Sequence, residues 1–210
     1  MFEIQQLSRT KVKRKKLIVE TAYKMFLERG ISLTSMNDIA ENCNITRRTI
    51  YNYFESKTEL LNFLMIKIME EINPDFHLEY DESLNALENM RKLLHTNFES
   101  YHNHITDFLF ITQVRIYLSY KLNKRIGKDE KSLEMHQAFI NEIENVITNG
   151  YADGTIRKQE METSEVAKLV YQSMYGYLSN ITIGMKNEKE KYDRKCKNFE
   201  TMIIEFLENK

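Results

Sequence analysis

"ITRRTIYNYFESKTEL" occupies residues 45–60, and its composition pulls in two directions. Arg47 and Arg48 stand side by side, which a buried helix does not tolerate. Tyr51, Tyr53 and Phe54 follow close behind, which a fully solvated helix does not need. One face of this segment belongs to a core, and the other is left for something polar and flat. Ser56-x-x-Glu59 then has the form of a capping box, so the basic and aromatic run stops at a helix boundary and a new helix starts near Lys57.

Reading outward, Thr46 is the natural N-cap of the helix that holds the two arginines. Asn42–Asn44 before it reads as a tight turn, because asparagine tolerates left-handed backbone angles. Thr34 or Ser35 caps a preceding short helix, and Ser35-x-x-Asp38 resembles a capping box with Asp in place of Glu. Ile39 and Ala40 are its inward residues. From Lys11 to Arg29, the spacing of Ile18, Ala22, Met25 and Phe26 predicts a first helix, with Gly30 as its C-cap. The helix from Lys57 ends at Asn73–Pro74, because the residue before proline avoids helical angles. Further helical patterns cover about 82–102, 104–124, 129–149, 163–185 and 188–208, with Gly127, Gly150 and Asp153–Gly154 separating some of them. Only one proline and six glycines interrupt 210 residues, which requires long helices. The expected fold is all-α with about nine helices: an N-terminal three-helix helix-turn-helix domain over 1–56 and a C-terminal helical domain over 57–210.

The net charge of −1 hides an asymmetry: residues 1–57 carry 11 Lys and Arg against 6 Asp and Glu, whereas the remainder carries 19 against 25. A basic N-terminal quarter suits a polyanion. The alternative is that "KVKRKK" at residues 11–16 is only a solvated face. Cys43 and Cys196 belong to no motif and read as reduced thiols. No apolar run approaches the ~20 residues of a membrane span. The start of the chain is polar before it is basic, unlike a signal peptide. A cytoplasmic protein without membrane attachment is the expectation.

Two short helices joined by a tight turn, the second rich in Arg and Thr, describe a DNA-reading helix-turn-helix. Arginine can bond O6 and N7 of guanine together, and threonine offers a hydroxyl to bases or phosphates and a methyl to thymine. Tyrosine hydroxyls and Lys57 suit phosphate oxygens. The helix starts near Ser35, Thr46 and Ser56 present free N–H groups to phosphates. On this reading Ile50 and Phe54 face the core. Arg47, Arg48, Thr49, Tyr51 and Tyr53 are left for DNA, with core packing the alternative for the two tyrosines.

"TSMNDIAENCNITRRTIYNYFESKTELL", residues 34–61, closely resembles the DNA-binding domain of the tetracycline-repressor (TetR) family of bacterial transcription regulators. The matching features are Thr34, Ile39–Ala40, Ile45, Thr46, Tyr51, Tyr53–Phe54, Lys57 and Leu60–Leu61. The resemblance implies a homodimer, three N-terminal helices per subunit on an operator in double-stranded DNA, and a helical C-terminal domain with a ligand pocket. By position it assigns DNA contacts to Thr34, Thr46, Arg47, Arg48, Thr49, Tyr51, Asn52, Tyr53 and Lys57. Arg48 is a departure, since many relatives carry a small residue there. It either reaches the DNA itself or holds the helix further out.

Other patterns carry less. His102 and His104 point to different sides of a helix and cannot easily share a metal, and His77, His95 and His136 add no ligand spacing. No metal, cofactor or catalytic set is expected, and an enzyme is not. Tyr101, Phe108, Phe110, Gln113, Tyr117 and Tyr120, with Arg115 among them, could line a pocket for a small apolar or aromatic effector, or could pack as core. Tyr192, Cys196, Phe199, Ile203 and Phe206 follow 4-3-4-3 spacing. Val166, Val170, Ser173 and Tyr177 form a stripe on the preceding helix, with Gly176 allowing close approach. The resemblance pairs these two helices in a four-helix dimer interface through Val170, Tyr177, Cys196, Phe199, Ile203 and Phe206. The same seams could instead serve the monomer core. The expected function is a dimeric DNA-binding repressor released from its operator by a small effector. The alternative is a DNA-bound scaffold of the same fold that recruits a protein partner.

Overall fold

The structure is a computed structural model. It describes residues 2–72, 79–122, 130–181 and 188–209, without the side chains of 2–8, 121–122 and 130–133. Among the described residues there are nine α-helices and no strand. They are α1 (Phe2–Arg29), α2 (Met36–Asn42), α3 (Arg47–Tyr51), α4 (Lys57–Ile72), α5 (Ala86–Asn103), α6 (Ile105–Leu122), α7 (Glu130–Asp153), α8 (Thr163–Ile181) and α9 (Lys189–Leu207). The expected stops at Asn73–Pro74 and Gly127 lie outside the described residues.

The chain forms two compact units. The first comprises Met1–Ile68 and Phe110–Ile126, the second Met69–Leu109 and Gly127–Lys210. This spatial division does not coincide with a cut at residue 56, because the early turns of α4 and most of α6 group with the N-terminal helices.

In the first unit, Ile18, Ala22, Met25 and Phe26 of α1 are buried at the helical spacing read from sequence, as are Ile39 and Ala40 of α2 and Ile50 and Phe54. The Phe110 ring of α6 meets α1 edge-on to Tyr23 at 4.9 Å and stacked near Phe26 at 6.3 Å. Gly30 ends α1 with φ +87°, the left-handed conformation that its missing Cβ permits.

In the second unit α5 packs on α7 and α9, α7 on α8, and α8 on α9. The N-cap of α5 is Asn85, which accepts from the Glu88 N–H while Glu88 reaches back to the Asn85 N–H. Gly150 does not break α7, which continues to Asp153. The glycine is a packing residue: a Cβ there would lie 2.4 Å from the buried Ile156 side chain. Ile156 in turn forms an isolated antiparallel bridge with Glu208, and the Arg157 N–H donates to the Leu207 carbonyl at 2.7 Å.

Candidate nucleic-acid interface

The turn that aims α3 is fully specified by hydrogen bonds. Ser35 Oγ accepts from the Asp38 N–H at 3.2 Å, and the Asp38 carboxylate accepts from the Ser35 N–H at 2.7 Å, completing the capping box on α2. The Ser35 bonds, helped by the charges of Arg29 and Lys57, hold the Asp38 carboxyl below its usual range. At the other end, the Asn44 N–H donates to the Glu41 carbonyl and the Ile45 N–H to the Ala40 carbonyl, both at 3.0 Å. That pair is a Schellman motif, and it requires a left-handed residue after the C-cap. Asn44, with φ 52°, supplies it.

Thr46 Oγ1 then accepts from the Thr49 N–H at 3.1 Å and starts α3. Regular helix ends at Tyr51, while the Phe54 N–H still reaches the Ile50 carbonyl. Ser56 caps α4 by accepting from the Glu59 N–H, but the Glu59 carboxylate bonds the Glu55 N–H rather than that of Ser56, so the box closes one residue early.

This scaffold leaves Ser35, Thr46, Arg47, Arg48, Tyr51 and Asn52 exposed, with Thr49 and Tyr53 half-buried. The Arg47 guanidinium lies 5.7 Å from the centre of the Tyr51 ring, one turn on. Neither Arg47 nor Arg48 joins an ion pair among the described residues. Their charge is therefore uncommitted among the described residues, next to threonine hydroxyls and a tyrosine. This combination suits base edges and phosphates.

Two assigned contacts sit differently. Thr34 is buried, and its hydroxyl donates to the Gly30 carbonyl at 3.0 Å, with the Met25 carbonyl at 3.4 Å. Its side chain ties α1 to the loop before α2 and does not reach the exposed face. Lys57 is half-buried; its ammonium donates to the Ile31 carbonyl and lies over the rings of Phe26, at 5.8 Å, and Tyr117, at 5.1 Å.

The basic run also divides. Lys11, Lys13 and Arg14 are exposed and in no ion pair among the described residues, and Lys16 pairs with Glu20 at 3.6 Å. Lys15 is half-buried over the rings of Phe63, at 4.1 Å, and Phe54, at 5.3 Å. Nothing in the sequence marks Lys15 out from its neighbours; only the approach of α1 to Phe54 and Phe63 does.

The residues expected to line one effector pocket fall in two places. Tyr101 and Phe108 are buried in the second unit with rings stacked at 3.9 Å. Tyr175 of α8 stands edge-on to both at 6.4 Å, and Tyr171 stacks on Tyr175 at 6.1 Å. His136 of α7 bonds the Tyr171 hydroxyl through Nδ1, and Phe139 meets the Tyr171 ring at 5.7 Å. Sequence reasoning missed these four. The spacings 136/139 and 171/175 each put a pair on one helix face, but only tertiary packing joins the pairs. Phe110, Gln113, Tyr117 and Tyr120 belong to the first unit, Phe110 in its core and the other three along an open concavity.

The two C-terminal seams turn inward. Val166, Val170, Tyr192, Cys196, Phe199 and Ile203 are all buried within the protomer. The Tyr192 hydroxyl donates to the Phe98 carbonyl at 2.8 Å, and the half-buried Tyr177 donates to the Lys195 carbonyl at 3.0 Å. Burial pushes the Cys196 thiol up to about 12, against a hydrogen bond with Tyr192 that lowers it, so Cys196 stays a neutral packing residue. Of the six expected interface residues, Phe206 is exposed and Tyr177 partly so. The outer face of this helix pair carries Leu169, Ser173, Gly176, Met202 and Phe206, with a groove of about 600 Å³ between α8 and α9.

A basic helix-turn-helix at the head of an all-helical chain defines a class, the helical DNA-binding regulators, and comparison with known proteins narrows it. The family model described as bacterial regulatory proteins of the tetR family matches residues 18–63. The HTH-type transcriptional regulator YhgD of Bacillus subtilis (strain 168) is 27% identical over 161 residues, 75% of this chain and 80% of that protein. The HTH-type transcriptional repressor KstR2 of Mycobacterium tuberculosis is 30% identical over 87 residues, which is 41% of this chain and only 44% of that protein. The solved structure of that ketosteroid transcriptional regulator superposes with a TM-score of 0.63 at 17% identity, covering 94% of this chain and 96% of its own. The flavonoid-responsive regulator FrrA does so with 0.63 at 17%, covering 94% and 98%. Residues 18–63 carry the DNA-binding domain of the tetR family of bacterial regulatory proteins, and the chain is a DNA-binding transcriptional regulator similar to members of that family.

Proposed function

We propose that the protein is a homodimeric cytoplasmic repressor whose operator binding is relieved by a small aromatic effector. The observation that carries the DNA-binding part is the two-faced α3, with Ile50 fully buried and Arg47, Arg48 and Tyr51 outward and without acidic partners among the described residues. On this reading residues 1–56 read the operator, and 57–210 supply dimerisation and effector binding. Thr46, Arg47, Arg48, Thr49, Tyr51, Asn52 and Tyr53 contact DNA, and Ser35 offers its hydroxyl and the start of α2 to a phosphate. Two subunits then read half-sites about one helical turn, ~34–36 Å, apart.

The effector part rests on the ring cluster of Tyr101, Phe108, Tyr171 and Tyr175, with the His136–Tyr171 hydrogen bond as its polar element. Apolar walls with one or two placed polar groups are what a small aromatic ligand requires. FrrA, by its name, responds to flavonoids, which are aromatic. α4 has residues in both compact units, so a ligand that displaces it changes the separation of the two α3 helices and misaligns one half-site. Dimerisation uses the outer face of α8 and α9, where Leu169, Met202 and Phe206 are exposed.

The test begins with selection of bound DNA from a random pool, to obtain the operator. A panel of aromatic compounds is then screened by melting shift. A true effector weakens operator binding by about 5–150-fold, and operator weakens effector binding by the same factor. Compounds that bind tightly but leave operator affinity unchanged refute the switch.

A further inference from the structure

The first unit holds a concavity of about 770 Å³, and none of its lining residues belongs to the ring cluster just described. Its floor and one wall come from α6, where Gln113, Ile116, Tyr117 and Tyr120 stand at i, i+3, i+4 and i+7 and so form one stripe. The adjoining stripe of α6, with Phe110, Val114 and Leu118, is fully buried. The other wall is the end of α1 and the loop after it, from Arg29 to Leu33. Leu33 is 81% exposed, Ile116 65% and Tyr120 93%. Apolar residues this exposed and gathered around one hollow mark a surface that something covers.

The chemistry narrows the occupant. The volume lies within the range of small-molecule sites, roughly 300–1,000 Å³. Two tyrosine rings on one helix stripe offer flat faces to an aromatic body. One rim residue is cationic, since Arg29 is exposed and in no ion pair among the described residues, and behind the lining Tyr117 ring, 5.1 Å from its centre, lies the Lys57 ammonium that donates to the Ile31 carbonyl. Positive charge beside apolar and aromatic walls favours an organic anion.

We infer that this concavity is a second regulatory ligand site, built into the DNA-binding unit itself, for small aromatic anions. An occupant touches two parts that set α2 and α3. One is the loop whose Ile31 carbonyl receives the Lys57 ammonium and whose Gly30 carbonyl receives the Thr34 hydroxyl. The other is Tyr117, the ring beside Lys57. Filling the hollow moves the loop and the Tyr117 ring that hold Lys57, shifts the placement of α2 and α3, and so opposes operator binding. The site is independent of the effector proposed for the second unit.

The probe is 8-anilinonaphthalene-1-sulfonate, an aromatic anion, titrated into the full chain with methyl-labelled leucine and isoleucine. The expected result is saturable shifts of the Leu33 and Ile116 methyls, with operator affinity falling about fivefold or more at saturation. Ile116→Glu and Arg29→Gln, both at exposed positions, each weaken the probe at this site at least tenfold with the melting temperature unchanged. Tyr171→Leu, in the second unit, leaves the Leu33 and Ile116 shifts intact. Shifts confined to second-unit methyls, shifts abolished by Tyr171→Leu but not by Ile116→Glu, or binding that leaves operator affinity untouched would each overturn the inference. The effector reading would stand or fall separately.

Discussion

The ammonium of Lys57, in the first turn of α4, lies 5.1 Å from the ring centre of Tyr117 on α6 and donates to the Ile31 carbonyl. One cation thereby joins the helix after the recognition helix to α6 and to the loop before α2. Lys57→Met and Tyr117→Leu, combined in a double-mutant cycle, should show a coupling of about 0.5–2 kcal/mol in urea unfolding. Strict additivity would mean that the ring contributes nothing to holding the ammonium.

Arg47 is exposed at the first position of α3, clear of any acid among the described residues. Arg47→Ala should cost about 1–3 kcal/mol of specific binding and relax the preference at one base pair of the selected operator. An equal loss on all sequences would identify a phosphate contact instead.

The basic run of α1 should split by function. Lys11→Gln with Lys13→Gln should reduce the slope of log affinity against log salt by about 2, leaving the preferred site unchanged. Lys15→Gln should leave that slope alone and cost about 1 kcal/mol of stability, because its ammonium sits over Phe63 and Phe54. Salt titrations and thermal melts separate the two effects.

Met202 is 53% exposed and Phe206 36%, so both can change without disturbing the protomer core. Met202→Glu with Phe206→Glu should give folded monomers in sedimentation, with the melt of the isolated subunit retained. Phe199→Asp with Ile203→Asp should instead unfold the chain, because two buried carboxylates cost several kcal/mol. A dimer surviving the first pair would place the interface elsewhere.

Gly150→Ala should destabilise the second unit by about 1–3 kcal/mol, because the new methyl overlaps Ile156. Ile156→Ala in the same chain should recover part of the loss. Recovery in calorimetry would identify the overlap, rather than helix propensity, as the cause.

The sequence alone determined the local structure around the recognition helix. Ser35, Asp38, Asn44 and Thr46 are short-range devices that bond within five residues of themselves, so their types and spacing specify two caps and a left-handed turn before any long-range contact forms. The inward Ile18, Ala22, Ile39 and Ile50 were legible for the same reason, since helical period is a local property. The C-terminal seams were legible as apolar stripes, but not what they face. Cys196 and Ile203 read alike as interface or core, and packing against α5 and α8 put them in the core. Thr34 and Lys57 look like DNA contacts by position, yet one hydroxyl is taken by Gly30 and one ammonium by Ile31. Tyr101 and Tyr120 lie on successive helices, and only the fold put one under the Phe108 ring and left the other in solvent. Which of several equivalent partners a side chain meets depends on how distant segments converge, and that was left to the tertiary structure.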